Sequence, residues 1–267
     1  MLAACLALLF GLLIGSFLNV CIYRLPQDLS VVRPRSYCPA CSHPIAWYDN
    51  VPLVSYAALR GRCRHCRAVI SWRYPLVELL TGSLFFWFVL QLGPTRGGLK
   101  FCILSALLVG LAFADLEARI LPDEFTLGGT AAGLVLAWFI PVRYDIVWQV
   151  LSITSFRWNP HWTSLVVAAL GALIPCLFLW LAGWIYLKFR HREGLGLGDV
   201  KLIAMTGAFL GLDGALLTLI VGSLAGSLIG YAYIKATRQD ASTYELPFGT
   251  FLALAAIAVS VRAATLP

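Results

Sequence analysis

The sequence predicts an all-α polytopic membrane protein of about eight transmembrane helices carrying one small, cysteine-bearing cytoplasmic loop domain. Three observations predict it: a composition too apolar for one water-facing core, repeated apolar runs of spanning length, and paired cysteines in the one long hydrophilic stretch. Of 267 residues, 60% are hydrophobic and only 12% charged, more apolar surface than a single soluble core can hide.

A spanning helix needs roughly 20 mostly apolar residues, because the hydrocarbon layer is about 30 Å thick and each helical residue rises about 1.5 Å. Runs of this kind lie at about 2–22, 75–92, 99–115, 124–141, 163–187, 200–212, 214–234 and 248–264. The sixth is short, so seven full spans and one tilted or part-way segment are expected. No Lys or Arg precedes the first run and no small-residue cleavage site ends it, so it is expected to be retained as a helix.

Orientation follows from the basic residues. With the stretch Arg24 to Arg73 in the cytoplasm, alternating spans leave only Arg96, Lys100, Arg143, Arg157 and Arg262 outside, and the other 15 of the 20 Lys and Arg inside. This asymmetry places both termini outside the cytoplasm. The net charge of +7 is thereby explained by topology and contact with anionic lipid, and no nucleic-acid partner is expected. Trp148, Trp158 and Trp162 mark an interfacial segment on the outer side.

The hydrophilic stretch, taken as a domain over 24–74 after a first span at 1–23, is too small to stabilise itself by its own core and calls for a staple. Cys38-Pro-Ala-Cys41 and Cys63-Arg-His-Cys66 have the spacing of zinc ribbons, in which two turns each offer two thiolates to one tetrahedral ion. Two disulfides are the competing reading, which a reducing cytoplasm disfavours. A closed four-thiolate site leaves no position for water, so the zinc is structural. His43 and His65 are read as flanking groups, and Cys5, Cys21, Cys102 and Cys176 as small hydrophobes buried in spans.

Carboxylates at span ends are functional candidates. Asp115 ends an inward-running span, where its own helix dipole disfavours an anion, so capping explains it poorly. Asp199 closes Gly194-Leu-Gly-Leu-Gly-Asp199 and opens the sixth span. It is read either as a cap, with the glycines making a turn, or as a functional group with Gly196 and Gly198 admitting a substrate backbone. Topology puts both aspartates on the cytoplasmic face although 84 residues separate them. Two facing carboxyls sharing one proton can hydrolyse a peptide bond, one as base on water and the other polarising the carbonyl. Asp123 is read mainly as the cap of the fourth span, and Glu78 either binds a basic group or snorkels. A transporter using these acids as ion sites would need them nearer mid-membrane, and a non-enzymatic scaffold leaves Asp115 unexplained.

These motifs together resemble the type IV prepilin leader peptidases, GxGD-type intramembrane aspartic proteases. The resemblance covers nearly the whole chain. It runs through Gly15-Ser-Phe-Leu-Asn-Val20, Tyr23-Arg-Leu-Pro26, both cysteine pairs, Asn50 to Tyr56, and Arg73 to Glu78. It continues through Asp115, Leu121-Pro-Asp123, Gly196-Leu-Gly-Asp-Val-Lys-Leu202 and Pro247-Phe-Gly249. It implies Asp115 and Asp199 as the catalytic pair within a peptidase domain over 75–267, with Gly196, Gly198, Asp123, Glu78 and Lys201 as possible substrate or supporting residues. It implies an inner-membrane enzyme that cuts the basic leader from prepilins and pseudopilins and then methylates the new N-terminus with S-adenosylmethionine. The chain departs from the family pattern in a long outer loop before the fifth span, a short Pro26–Cys38 connection, and Thr250 where proline is expected.

Overall fold

The computed structural model describes residues 1–141, 145–153, 159–190, 196–237 and 246–265. Arg143, Arg157, Arg192 and Arg238 of the orientation argument, Trp158 and Gly194 lie outside the described residues. The chain forms two compact units, Met1–Gly110 and Leu111–Pro267.

In the first unit, α1 (Leu2–Arg24) packs along α3 (Arg73–Leu92). α1 gives way after Arg24 to a 3-10 turn, Leu25–Gln27; Leu25 keeps helical dihedrals before Pro26, and the turn closes at Asp28 with a left-handed φ of 56°. Between these helices lie the short α2 (Val54–Ala58) and two cysteine turns, and α4 (Arg96–Ala118) begins in this unit.

In the second unit, α4 stops where Arg119 takes a left-handed φ of 56° and donates its N–H to the Asp115 carbonyl at 2.9 Å. The chain turns through Leu121-Pro122 into α5 (Asp123–Phe139). Then come α6 (Ile146–Ile153), α7 (Pro160–Arg190), α8 (Leu197–Thr237) and α9 (Phe248–Thr265), with α8 packed on α5, α7 and α9.

Among the described residues, six helical segments are long and apolar enough to cross a membrane: Leu2–Gln27, Arg73–Leu92, Arg96–Ala118, Pro160–Arg190, Leu197–Thr237 and Phe248–Thr265. This is the pattern of a multi-pass membrane protein. The segments expected at 200–212 and 214–234 are both helical and meet at Gly211, whose backbone is not helical and whose φ of 78° is a conformation L side chains avoid. The break is capped from outside. Asp213 and Val147 donate backbone N–H groups to the Asp145 carboxylate at 3.0 and 2.8 Å, and Ile146 N–H donates to Asp213 Oδ2 at 3.0 Å. Each aspartate thus satisfies donors at the start of the other's helix. At the same end Trp162 meets Trp138 edge-to-face, with centroids 4.9 Å apart.

Candidate active site

Asp115 lies in the last turn of α4, only 6% exposed. Its Oδ2 accepts the backbone N–H of Thr250 at 2.6 Å and the Thr250 hydroxyl at 2.8 Å. Thr250 is the third residue of α9, so its N–H belongs to the helix start that lacks intrahelical acceptors. The carboxylate disfavoured by the dipole of α4 therefore stands at the positive end of α9. Gly249 makes the approach possible: a Cβ there would lie 2.8 Å from Leu121 Cδ1 and 3.1 Å from Asp115 Cγ.

Asp199 is partly buried in the first turn of α8. It reaches back to the N–H of Gly196, the residue before the helix, as the third residue of a capping box does. Its charge also interacts with that of Asp115. A Cβ on Gly198 would sit 3.1 Å from the Leu121 side chain, and one on Gly196 would lie 3.3 Å from Asp199 Oδ2. The second unit therefore gathers Asp115, Asp199, Gly198, Leu121, Gly249 and Thr250 around one place.

The other expected residues fall differently. Pro122, not Asp123, occupies the cap position of α5, and no side chain makes a cap bond there. Asp123 instead pairs with Lys201, whose Nζ donates to its two oxygens at 2.6 and 2.9 Å. Glu78, in the first unit, is buried rather than snorkelling. Its Oε2 accepts the N–H of Leu53 at 2.8 Å, and it also bonds to Ser16. Leu53 has a φ of 58° and centres a turn in which Val54 N–H reaches the Pro52 carbonyl at 2.6 Å, a strained arrangement.

The four cysteines of the first unit converge. Cys38, Cys41, Cys63 and Cys66 have all four sulfurs within 4.8 Å of one another, with none in a disulfide, and could hold one metal ion. The two turns are built alike. Cys38 N–H bonds to the His43 carbonyl and Cys63 N–H to the Ala68 carbonyl, while Ser42 and Arg67 take left-handed φ of 56° and 61°. Backbone N–H groups of Cys66 and His65 draw the Cys63 thiol down to about 7, whereas burial and the neighbouring thiols push Cys66 up to about 11. His43 and His65 stack beside the cluster with centroids 3.5 Å apart. Of the lone cysteines, Cys21 and Cys102 are buried, but Cys5 lies on an exposed face of α1, contrary to expectation.

Sequence reasoning missed Thr250 as the partner of Asp115 and Leu53 as the partner of Glu78. The first could have been sought from its position after Pro247-Phe-Gly249 on the same membrane face as Asp115. The second rests on a main-chain donor, which no residue type reveals.

Comparison with known proteins identifies the family. The profile of the bacterial peptidase A24 N-terminal domain matches residues 9–92, and that of the type IV leader peptidase family matches residues 102–231. A Myxococcus xanthus protein called prepilin leader peptidase/N-methyltransferase is 45% identical over 86% of this chain, which spans 62% of that protein's length. Relatives with the same name from Aeromonas hydrophila and Burkholderia pseudomallei are 37% and 35% identical over 94% and 92% of this chain, and over 87% and 81% of their own lengths. No solved structure matches. The chain belongs to the type IV leader peptidase family.

Proposed function

We propose that this protein is a membrane aspartic peptidase that removes the basic leader of prepilins and pseudopilins at the cytoplasmic face of the inner membrane. Its dyad is Asp115 and Asp199. The observation that carries this reading is the meeting of two carboxylates from α4 and α8, Asp115 held by Thr250 and Asp199 partly buried beside it. Like charges in proximity share a proton. One carboxylate then takes a proton from water as its oxygen attacks the scissile carbonyl, while the other gives its proton to the carbonyl oxygen. Collapse of the resulting diol breaks the C–N bond, with a proton passing to the leaving amine. Gly198 and Gly249 let the starts of α8 and α9 close on Leu121 and Asp115, and the Asp123–Lys201 ion pair ties α5 to α8 nearby.

The four cysteines fit zinc. A tetrahedral ion with metal–sulfur distances of about 2.3 Å separates its sulfurs by about 3.8 Å, and the Cys38 and Cys66 sulfurs are 3.8 Å apart. The ion would fold the loop over 24–74, with 1–23 as the first span and 75–267 as the peptidase domain. Both termini face outward on the positive-inside argument.

The relatives' name also supports methylation of the new N-terminal amine. S-adenosylmethionine, when bound, supplies an electrophilic methyl group. No described cluster of side chains assigns its pocket.

The test is incubation of purified protein with a prepilin-type peptide and S-adenosylmethionine, with both product termini read by mass spectrometry. Cleavage ahead of the apolar helix, with a 14 Da gain on the new amine, is the expected result. An intact peptide would overturn the peptidase reading, and a cleaved but unmethylated product would overturn the methylation alone.

A further inference from the structure

The two carboxyl groups of the proposed pair are held unequally. Asp115 Oδ2 receives two donors from Thr250, at 2.6 and 2.8 Å, whereas the bond described for Asp199 comes from the Gly196 N–H. The Thr250 hydroxyl has one proton and two acceptors in reach, Asp115 Oδ2 at 2.8 Å and the Ala112 carbonyl at 3.1 Å. An ionised Asp115 takes it, because the shorter bond is also charge-assisted. A proton on Asp115 Oδ2 would turn the hydroxyl towards Ala112 and leave the 2.6 Å N–H aimed at a protonated oxygen. The starts of α9 and α8 favour the anions of Asp115 and Asp199 alike, so the second donor, the Thr250 hydroxyl, is what distinguishes them.

Other charges do not reverse this preference. Asp123 and Lys201 neutralise one another, Glu117 and Arg119 follow on the end of α4 itself, and α9 carries no charged residue before Arg262. Asp115 is the carboxyl whose charge acts on Asp199, from the end of α4.

We infer that Thr250 is a positioning residue that divides the labour of the pair: it keeps Asp115 ionised as the base towards water and leaves the shared proton on Asp199, the acid towards the scissile carbonyl. The inference rests on the dyad reading above. Water's proton passes to Asp115 and the Asp199 proton to the carbonyl oxygen as the C–O bond forms. When the C–N bond breaks, Asp115 gives its proton to the leaving nitrogen and the diol returns one to Asp199.

The test is the pH dependence of kcat and KM for the full-length enzyme on a prepilin-type peptide, in Thr250→Val and Thr250→Ser, beside Asp115→Asn and Asp199→Asn. Thr250→Ser keeps both donors and stays within about two-fold of the native enzyme. Thr250→Val loses the hydroxyl donor, and hydrogen bonding to the charged form is what favours it. The acidic limb of kcat/KM therefore moves up by about one pH unit and kcat falls about ten-fold, with little change in KM. The position of that limb does not depend on the fraction of molecules folded, so a poorly folding Thr250→Val still reports. A native acidic limb in Thr250→Val, or an equal displacement in Thr250→Ser, would overturn the inference. If both Asn variants are inactive while Thr250→Val behaves natively, the dyad stands and the inference alone fails; if Asp115→Asn still cleaves, both fail.

Discussion

Gly249 lies so close to Asp115 that a methyl group added to it would sit 3.1 Å from the carboxylate carbon and 2.8 Å from Leu121 Cδ1. The first turn of α9 is thereby pressed against the end of α4, where its N–H can reach Asp115. We expect Gly249→Ala to displace Asp115 or Leu121 by several tenths of an ångström and to lower kcat about ten- to a hundred-fold, since misplacement by about 1 Å is costly. Peptide cleavage assays, with thermal unfolding as a control, check this; full activity would show that the close approach is unnecessary.

Removing either carboxyl charge tests the pair itself. Asp115→Asn keeps an acceptor for the Thr250 N–H, so insertion and metal content should persist while cleavage falls at least about a hundred-fold, the usual scale of acid–base catalysis. Asp199→Asn should do the same. Retained processing by both variants would remove the dyad.

Metal binding and folding should be coupled in the cysteine loop. Cys38→Ser or Cys63→Ser is expected to abolish stoichiometric zinc and to make residues 24–72 sensitive to limited proteolysis. Metal analysis of reduced native protein that finds no zinc would refute the assignment.

Glu78 holds a strained turn. Glu78→Ala leaves the Leu53 N–H without its acceptor and should cost about 1–3 kcal/mol, whereas Glu78→Gln retains a carbonyl oxygen and should cost less. Hydrogen exchange at Leu53 and thermal unfolding distinguish these outcomes, and equal behaviour of the two variants would count against the bond.

Burial, and then the charge of Asp213, hold the Asp145 carboxyl above its ordinary range. Ionising it therefore opposes folding: its contribution is full below the unfolded value of about 4 and declines as pH rises through the higher folded value. Asp145→Asn removes the charge but keeps an acceptor for only one of the Val147 and Asp213 N–H groups. Its unfolding temperature relative to the native protein should therefore be lowest near pH 4 and rise towards pH 7. A difference independent of pH would contradict this.

Much of the molecule was legible in the chain. Apolar runs located the helices because lipid demands length and hydropathy, both local properties. The cysteine spacing located the four-cysteine cluster because each C-x-x-C turn forms within a few residues, and the misfit of Asp115 with its own helix marked it as a candidate. Tertiary packing decided the rest. Asp123 went to Lys201, and Glu78 went to a main-chain N–H. Above all, folding brought the start of α9 to Asp115, reversing the dipole that the carboxylate meets. Sequence shows a charge's place along its own helix, whereas the field acting on that charge comes from whichever groups the fold sets beside it.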